Sequence, residues 1–268
     1  MLTLAELLQY LDTQYPPDLA ESWDNVGLLV GREESQIGSI LTCLTLTPDV
    51  AAEAVREKVD LIIAHHPILF RPVQKITSAT VEGEMLLGLI ESRIAVFSPH
   101  TRYDSAPAGI NQQLAEQLGL TSIRSIRPIE TESVPAGVNQ TGAGRWGQLP
   151  VPQSLEKFAL KVKECLQAPA ISLSGAPLDQ VSKVAIACGS AGEFLQDAAL
   201  LGCDLFITGE ARFHTAFEAE QLGVALLLAG HYQTERPAME AMAVRLQEQF
   251  PQLSIKASQD ESDPFRWI

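Results

Sequence analysis

No stretch of this sequence approaches the ~20 consecutive apolar residues that a membrane span needs. The N-terminus, Met1-Leu2-Thr3-Leu4-Ala5-Glu6, has neither the basic start nor the apolar core of a signal peptide. These absences predict a cytoplasmic protein without a membrane partner. Cysteine is scarce: Cys43, Cys165, Cys188 and Cys203 are widely spaced, in apolar surroundings, with no Cys-x-x-Cys pair. That favours small buried thiols over a zinc knuckle or disulfides. Positive charge is also scarce, with 19 Lys and Arg against 33 Asp and Glu and no basic cluster, for a net charge of −14. Such a surface repels nucleic acid, whose non-specific binding is mostly phosphate neutralisation, and attracts metal cations. Aromatics make up only 6% of the chain.

Hydrophobic residues, chiefly Ala, Leu, Ile and Val, make up 46% of the 268 residues, enough for two modest domains of the α/β class. Helical periodicity is expected over 3–13, 49–58, 82–92, 109–118, 154–166, 191–201, 212–222 and 235–249. Strands are expected over 40–46, 61–64, 94–98, 183–188, 204–208, 224–229 and near 253–257. The order predicts two largely parallel α/β layers. The Pro-, Gly-, Ser- and Thr-bearing stretch 123–152 reads as their connection, with Gly142 to Gly147 a candidate strand and turn. The expected domains are 1–125 and 126–268, with room for the segment from about 230 to pack back on the first. An internal echo supports the pairing: Asp60-Leu61-Ile62-Ile63 resembles Asp204-Leu205-Phe206-Ile207. Each is followed by a helix and a strand leading to a His with an acid four residues on, His100…Asp104 and His231…Glu235.

All five histidines, His65, His66, His100, His214 and His231, fall at or just after expected strand ends, where ligands collect in open α/β sheets. In Ala64-His65-His66-Pro67, Pro67 favours an extended His66, and adjacent extended side chains point to opposite faces. Two such imidazoles suit two ions side by side; the alternative is a surface turn. His100 and Asp104 can both face a site at their strand end, or Asp104 can cap the next helix. Likewise Glu235 sits four residues beyond His231, yet Thr234 as cap and Glu235 at a helix start are good structure without any metal. Together, three histidines and two acids give a two-metal inventory, and mixed N and O donors point to Zn, Mn, Fe or Co. His214 begins a helix and is a candidate proton carrier. The turn Gly189-Ser190-Ala191-Gly192 resembles a phosphate cradle but lacks a P-loop lysine, which favours a tight structural turn.

At these residues the chain resembles the NIF-three-like family, also called type 2 GTP cyclohydrolase I. The resemblance rests on Ser22-Trp23-Asp24-Asn25-Val26-Gly27, Ala64-His65-His66-Pro67, His100-Thr101 through Asp104 with Asn111, Thr208-Gly209-Glu210 with His214, and Gly230-His231-Tyr232 with Glu235. It implies two similar α/β domains with a dinuclear metal site between them and a toroidal homohexamer. It also implies the ligands His65, His66, Asp104, His231 and a bridging Glu235. Arg102-Tyr103 and Glu210-Ala211-Arg212-Phe213 depart from the family pattern around the ligands, so the substrate does not carry over directly. The expected activity is metal-dependent hydrolysis of a small molecule, with His100 or His214 as proton carrier and GTP ring opening with formate release as the family's example. The alternative is a non-catalytic metal-binding, storage or adaptor protein.

Overall fold

The computed structural model describes residues 2–134 and 140–268; residues 135–139 of the expected connection lie outside the described residues. The chain divides into two compact units. One comprises Met1–Arg102 and Ala238–Pro264, the other Tyr103–Pro237 and Phe265–Ile268.

The first unit carries a five-stranded sheet in the order Ser254–Ala257, Ser39–Cys43, Leu61–Ala64, Ala95–Ser98, Gly27–Val30. The first four run parallel and the last is antiparallel. Leu61–Ala64 and Ala95–Ser98 are buried along their whole length, which is why, Ser98 apart, they read as apolar runs rather than alternating ones. Helix Leu4–Gln14 starts at a capping box, Thr3 with Glu6. Helix Pro48–Glu57 starts with the Thr47 hydroxyl accepting from the Val50 amide and Pro48 in its first turn. Val50, Ala54 and Leu89 from the helices pack on Leu41, Ile62 and Val96 of the sheet.

The second unit carries a six-stranded sheet in the order Thr121–Pro128, Gly142–Ser154, Gln180–Ala187, Leu205–Thr208, Ala225–Leu228, Ser172–Gly175. Its middle strands, Gln180–Ala187, Leu205–Thr208 and Ala225–Leu228, run parallel, while the other three are antiparallel to their neighbours. Leu205 and Ile207 face one core with Phe158 and Val162, while Phe206 faces another with Leu195 and Ala198.

Three expectations need correction. The second sheet is mixed rather than largely parallel. Much of the expected connection is the antiparallel ladder Thr121–Pro128 with Gly142–Ser154. Its turn-forming residues are accommodated by close approach and irregular pairing: a Cβ at Gly142 would sit 2.1 Å from the Arg127 carbonyl. Pro150 and Pro152 fall where the ladder to Gln180–Ala187 slips register. The last long helix begins at His231, four residues earlier than expected, because Gly230 makes the turn at φ +93°.

Both sheets share one device. In the first unit an Asp60 carboxylate oxygen accepts from the Gly38 and Ser39 amides and the Ser39 hydroxyl at 2.8–2.9 Å. In the second, an Asp204 carboxylate oxygen accepts from the Ser182 and Lys183 amides and the Ser182 hydroxyl at 2.8 Å. Each clamps the start of the neighbouring parallel strand. The helix before each aspartate ends in a left-handed residue, Lys58 at φ +56° and Gly202 at φ +70°. In each sheet three successive parallel strands are flanked by an antiparallel strand that precedes them in sequence, and the first sheet adds Ser254–Ala257 as a fourth parallel strand on its other edge.

Candidate metal centre

In the first unit, strand Leu61–Ala64 delivers His65 and His66 at its carboxyl end. Their amides bond to the Cys43 and Leu44 carbonyls at 3.0 and 2.9 Å, so the backbone is fixed just past the ladder. The Ser98 hydroxyl donates to the His65 carbonyl at 2.6 Å, tying that turn to the end of strand Ala95–Ser98. His65 is buried. His66 is half-buried, with Nδ1 2.8 Å from the Thr45 hydroxyl.

His100 opens the short helix His100–Ser105, an element the sequence did not reveal. Its φ of +32° is unusual for a side-chain-bearing residue. Asp24 holds it there: both carboxylate oxygens lie 2.8 Å from His100 Nδ1. Thr101 donates to the same carboxylate from its hydroxyl at 2.5 Å and its amide at 3.3 Å. Burial pushes the Asp24 carboxyl up, but the hydrogen bonds from His100 and Thr101 and the imidazole charge outweigh it and hold the group below its ordinary range. A carboxylate on Nδ1 fixes the orientation of the ring, the pattern of a histidine placed to bind a metal or carry a proton.

The three rings converge. Ring centroids of His65 and His66 are 5.2 Å apart, those of His65 and His100 5.2 Å, and those of His66 and His100 5.8 Å. Each offers a nitrogen, and these nitrogens lie within 4.8 Å of one another, a group that could hold a metal ion. Strand alternation predicts that His65 and His66 diverge. They lie past the strand's end, in a bend, where that alternation no longer holds.

In the second unit, His231 Nε2 lies 2.9 Å from a Glu235 carboxylate oxygen and Nδ1 lies 3.0 Å from Glu210. Because the helix begins at His231, the pair is related by one helical turn, and Thr234 does not act as the expected cap. Its hydroxyl instead donates to the Gly230 and His231 carbonyls and accepts from the Gly189 amide at 3.1 Å. Burial pushes the His231 imidazole down, but the hydrogen bonds and charges of Glu235 and Glu210 override it and raise its pKa to about 9.

Asp104 is half-buried within helix His100–Ser105, and its carbonyl accepts from Asn111 Nδ2 at 3.2 Å. It does not cap the following helix, Ile110–Gln117, whose N-cap is Gly109 without a side-chain bond. Burial, then the charges of Glu235 and Asp104, push the Cys188 thiol well above its ordinary value, so it stays protonated beside two carboxylates. The Gly189–Gly192 turn serves close approach: at Gly189, φ +69°, a Cβ would meet Glu235 Oε1 at 2.1 Å. His214 is exposed near the start of helix Phe213–Leu222 and lines a cavity of about 830 Å³ with Ser190, Glu193, Glu210 and Arg212.

Two residues that sequence reasoning left without a role are Asp24 and Glu210. Both lie inside motifs that carried the resemblance. Neither shows the spacing from its histidine that marks a pair, since Asp24 reaches His100 across 76 positions and Glu210 reaches His231 across 21.

No helix among the described residues is long and apolar enough to cross a membrane. The family model described as Duf34/NIF3 (NGG1p interacting factor 3) matches residues 2–264. A Clostridium perfringens protein named GTP cyclohydrolase 1 type 2 homolog is 31% identical over the full length of both chains. The Protein NIF3 homolog of Schizosaccharomyces pombe is 33% identical over 95% of this chain and 92% of its own. The crystal structure of Staphylococcus aureus protein SA1388 superposes with a TM-score of 0.88 at 28% identity, covering 100% of this chain and 99% of that one. With the match extending over both sheets and over every histidine described above, the chain belongs to the Duf34/NIF3 family.

Proposed function

We propose that this chain binds two divalent metal ions through His65, His66, Asp104, His231 and a bridging Glu235, and uses them to hydrolyse a small molecule. The observation that carries the reading is the convergence of imidazoles in the first unit, with nitrogens of His65, His66 and His100 within 4.8 Å of one another. The donor chemistry fits: the first unit offers nitrogen, and the second adds carboxylate oxygen beside His231. Such mixed sets suit Zn, Mn, Fe or Co. The strand order and aspartate clamp common to both units fit a duplicated α/β domain with one set of donors in each. By the same family resemblance, the chain assembles as a toroidal homohexamer, which light scattering tests.

Bound divalent ions would supply a water of lowered pKa and polarise the bond under attack. Around that chemistry the chain's own residues have separate tasks. Asp24 fixes the His100 ring, which can take a proton and pass it to the leaving group. His214, beside the cavity that Glu210 also lines, is the second candidate carrier. The names of the relatives make GTP the first substrate to test, its imidazole ring opened at C8 with release of formate.

Elemental analysis after metal reconstitution should give close to two ions per chain; one or none overturns the dinuclear reading. Glu235→Gln should lower occupancy of both positions and Asp104→Asn mainly one. Formate release from GTP should exceed that of a His65→Ala control. Two bound ions with no turnover of nucleotides, phosphodiesters or cyclic amides would favour metal storage or delivery instead.

A further inference from the structure

Two large aromatic side chains stand in water beside the imidazole group, although aromatics are only 6% of the chain. Trp23 is 60% exposed and Phe70 48%. Their centroids are 6.0 Å apart at 76°, and each meets His100, Trp23 at 6.2 Å and 79°, Phe70 at 6.4 Å and 85°. The three rings form a corner of nearly perpendicular planes, and His100 also belongs to the group with His65 and His66. Leaving so much indole and phenyl surface exposed forfeits burial worth ~25 cal/mol per Å².

The corner is held firmly. Trp23 directly precedes Asp24, which is locked to His100 and Thr101, and Asn25, whose Nδ2 donates to the Leu69 carbonyl at 2.6 Å, next to Phe70. The two residues that follow Trp23 thus anchor the segments that carry the other two rings. A surface fixed in advance binds with less loss of side-chain freedom.

We propose that Trp23 and Phe70 seat a planar heteroaromatic ring of the substrate and position it against the His65–His66–His100 imidazoles. Rings in mutual edge contact leave no central void for a quaternary ammonium, whereas the outer faces accept a flat ring by offset stacking. The inference rests on the proposed function for the chemistry at the imidazoles, but ring binding itself requires no metal.

Equilibrium binding of guanosine and cytidine, with ribose and tetramethylammonium as non-planar probes, tests it on metal-loaded and metal-stripped protein. Both nucleosides should bind saturably in both forms. Trp23→Ala should weaken them about five-fold to over a hundred-fold, the range for truncating a base-stacking aromatic. Trp23→Phe should keep most of the affinity, Phe70→Leu should fall between, and metal content should stay unchanged in all three. The phenylalanine and leucine variants keep the test decisive should the alanine variant fail to fold. Nucleoside binding that is absent from wild type, unchanged in the variants, or displaced by tetramethylammonium overturns the proposal. Saturable binding that depends on Trp23 in a protein that never takes up metal would sustain this inference while the proposed function falls.

Discussion

In metal-stripped protein, His231 should stabilise the fold at neutral pH and stop doing so in alkali. Its imidazole pKa rises from 6.5 to about 9 because Glu235 and Glu210 flank it at 2.9 and 3.0 Å, overcoming the opposing effect of burial. That rise corresponds to ~3 kcal/mol; with the side chain 30% exposed, solvent screening trims it to ~2–3 kcal/mol. The folded value lies above the unfolded one, so the stabilisation is fully present below pH 6.5 and fades as pH rises through about 9. Urea unfolding of chelator-treated wild type and His231→Gln at pH 6, 7.5 and 9.5 isolates the effect. The gap in unfolding free energy should shrink by ~2–3 kcal/mol across that range. A gap independent of pH would refute the reasoning. The same proton competes with metal, so reconstitution at pH 7.5 should release about one more proton from wild type than from the variant.

Gly189→Ala should lower metal content, because its Cβ would sit 2.1 Å from Glu235 Oε1 and 3.3 Å from His231 Nε2 at a φ of +69°; elemental analysis with a thermal melt checks it. Lys58→Gly should stabilise the protein by ~1 kcal/mol in chemical denaturation, since Lys58 ends its helix in the left-handed region at φ +56°. Asp60→Ala and Asp204→Ala should each cost ~1–2 kcal/mol, as each removes a carboxylate oxygen that accepts three hydrogen bonds.

What was legible in the sequence is what burial dictates. Leu61–Ala64 and Ala225–Leu228 are enclosed by neighbours, and a strand with no wet face reads as an apolar run. Thr121–Pro128 escaped because it is an edge strand, exposed at Thr121, Ser122 and Arg124, with Arg124 over the Trp146 ring instead of a run of aliphatics. Ser172–Gly175 is a polar edge of the same kind. Helix His100–Ser105 was hidden because its first residue takes a positive φ and is held by Asp24 from far along the chain. The histidines could be read as a set because each follows a strand, whereas Asp24 and Glu210 act only through contacts that folding creates.

The C-terminal return of the chain has a consequence for synthesis. Strand Ser254–Ala257 forms the edge of the first sheet, and Glu261 accepts from the Leu44 and Thr45 amides, next to the Cys43 and Leu44 carbonyls that hold the His65–His66 turn. Buried Glu53 likewise waits for the Ser258 hydroxyl and the Gln259 and Asp260 amides. As the polypeptide emerges from the ribosome, residues 1–102 therefore appear first yet cannot be completed until residues 238–264 are made, whereas nearly all of the second unit is available by residue 237. The half whose translation starts first must wait for a segment made after nearly all of the other, so the nascent chain carries an unpaired Ser39–Cys43 edge and a Glu53 carboxylate without its donors until residues 238–264 emerge.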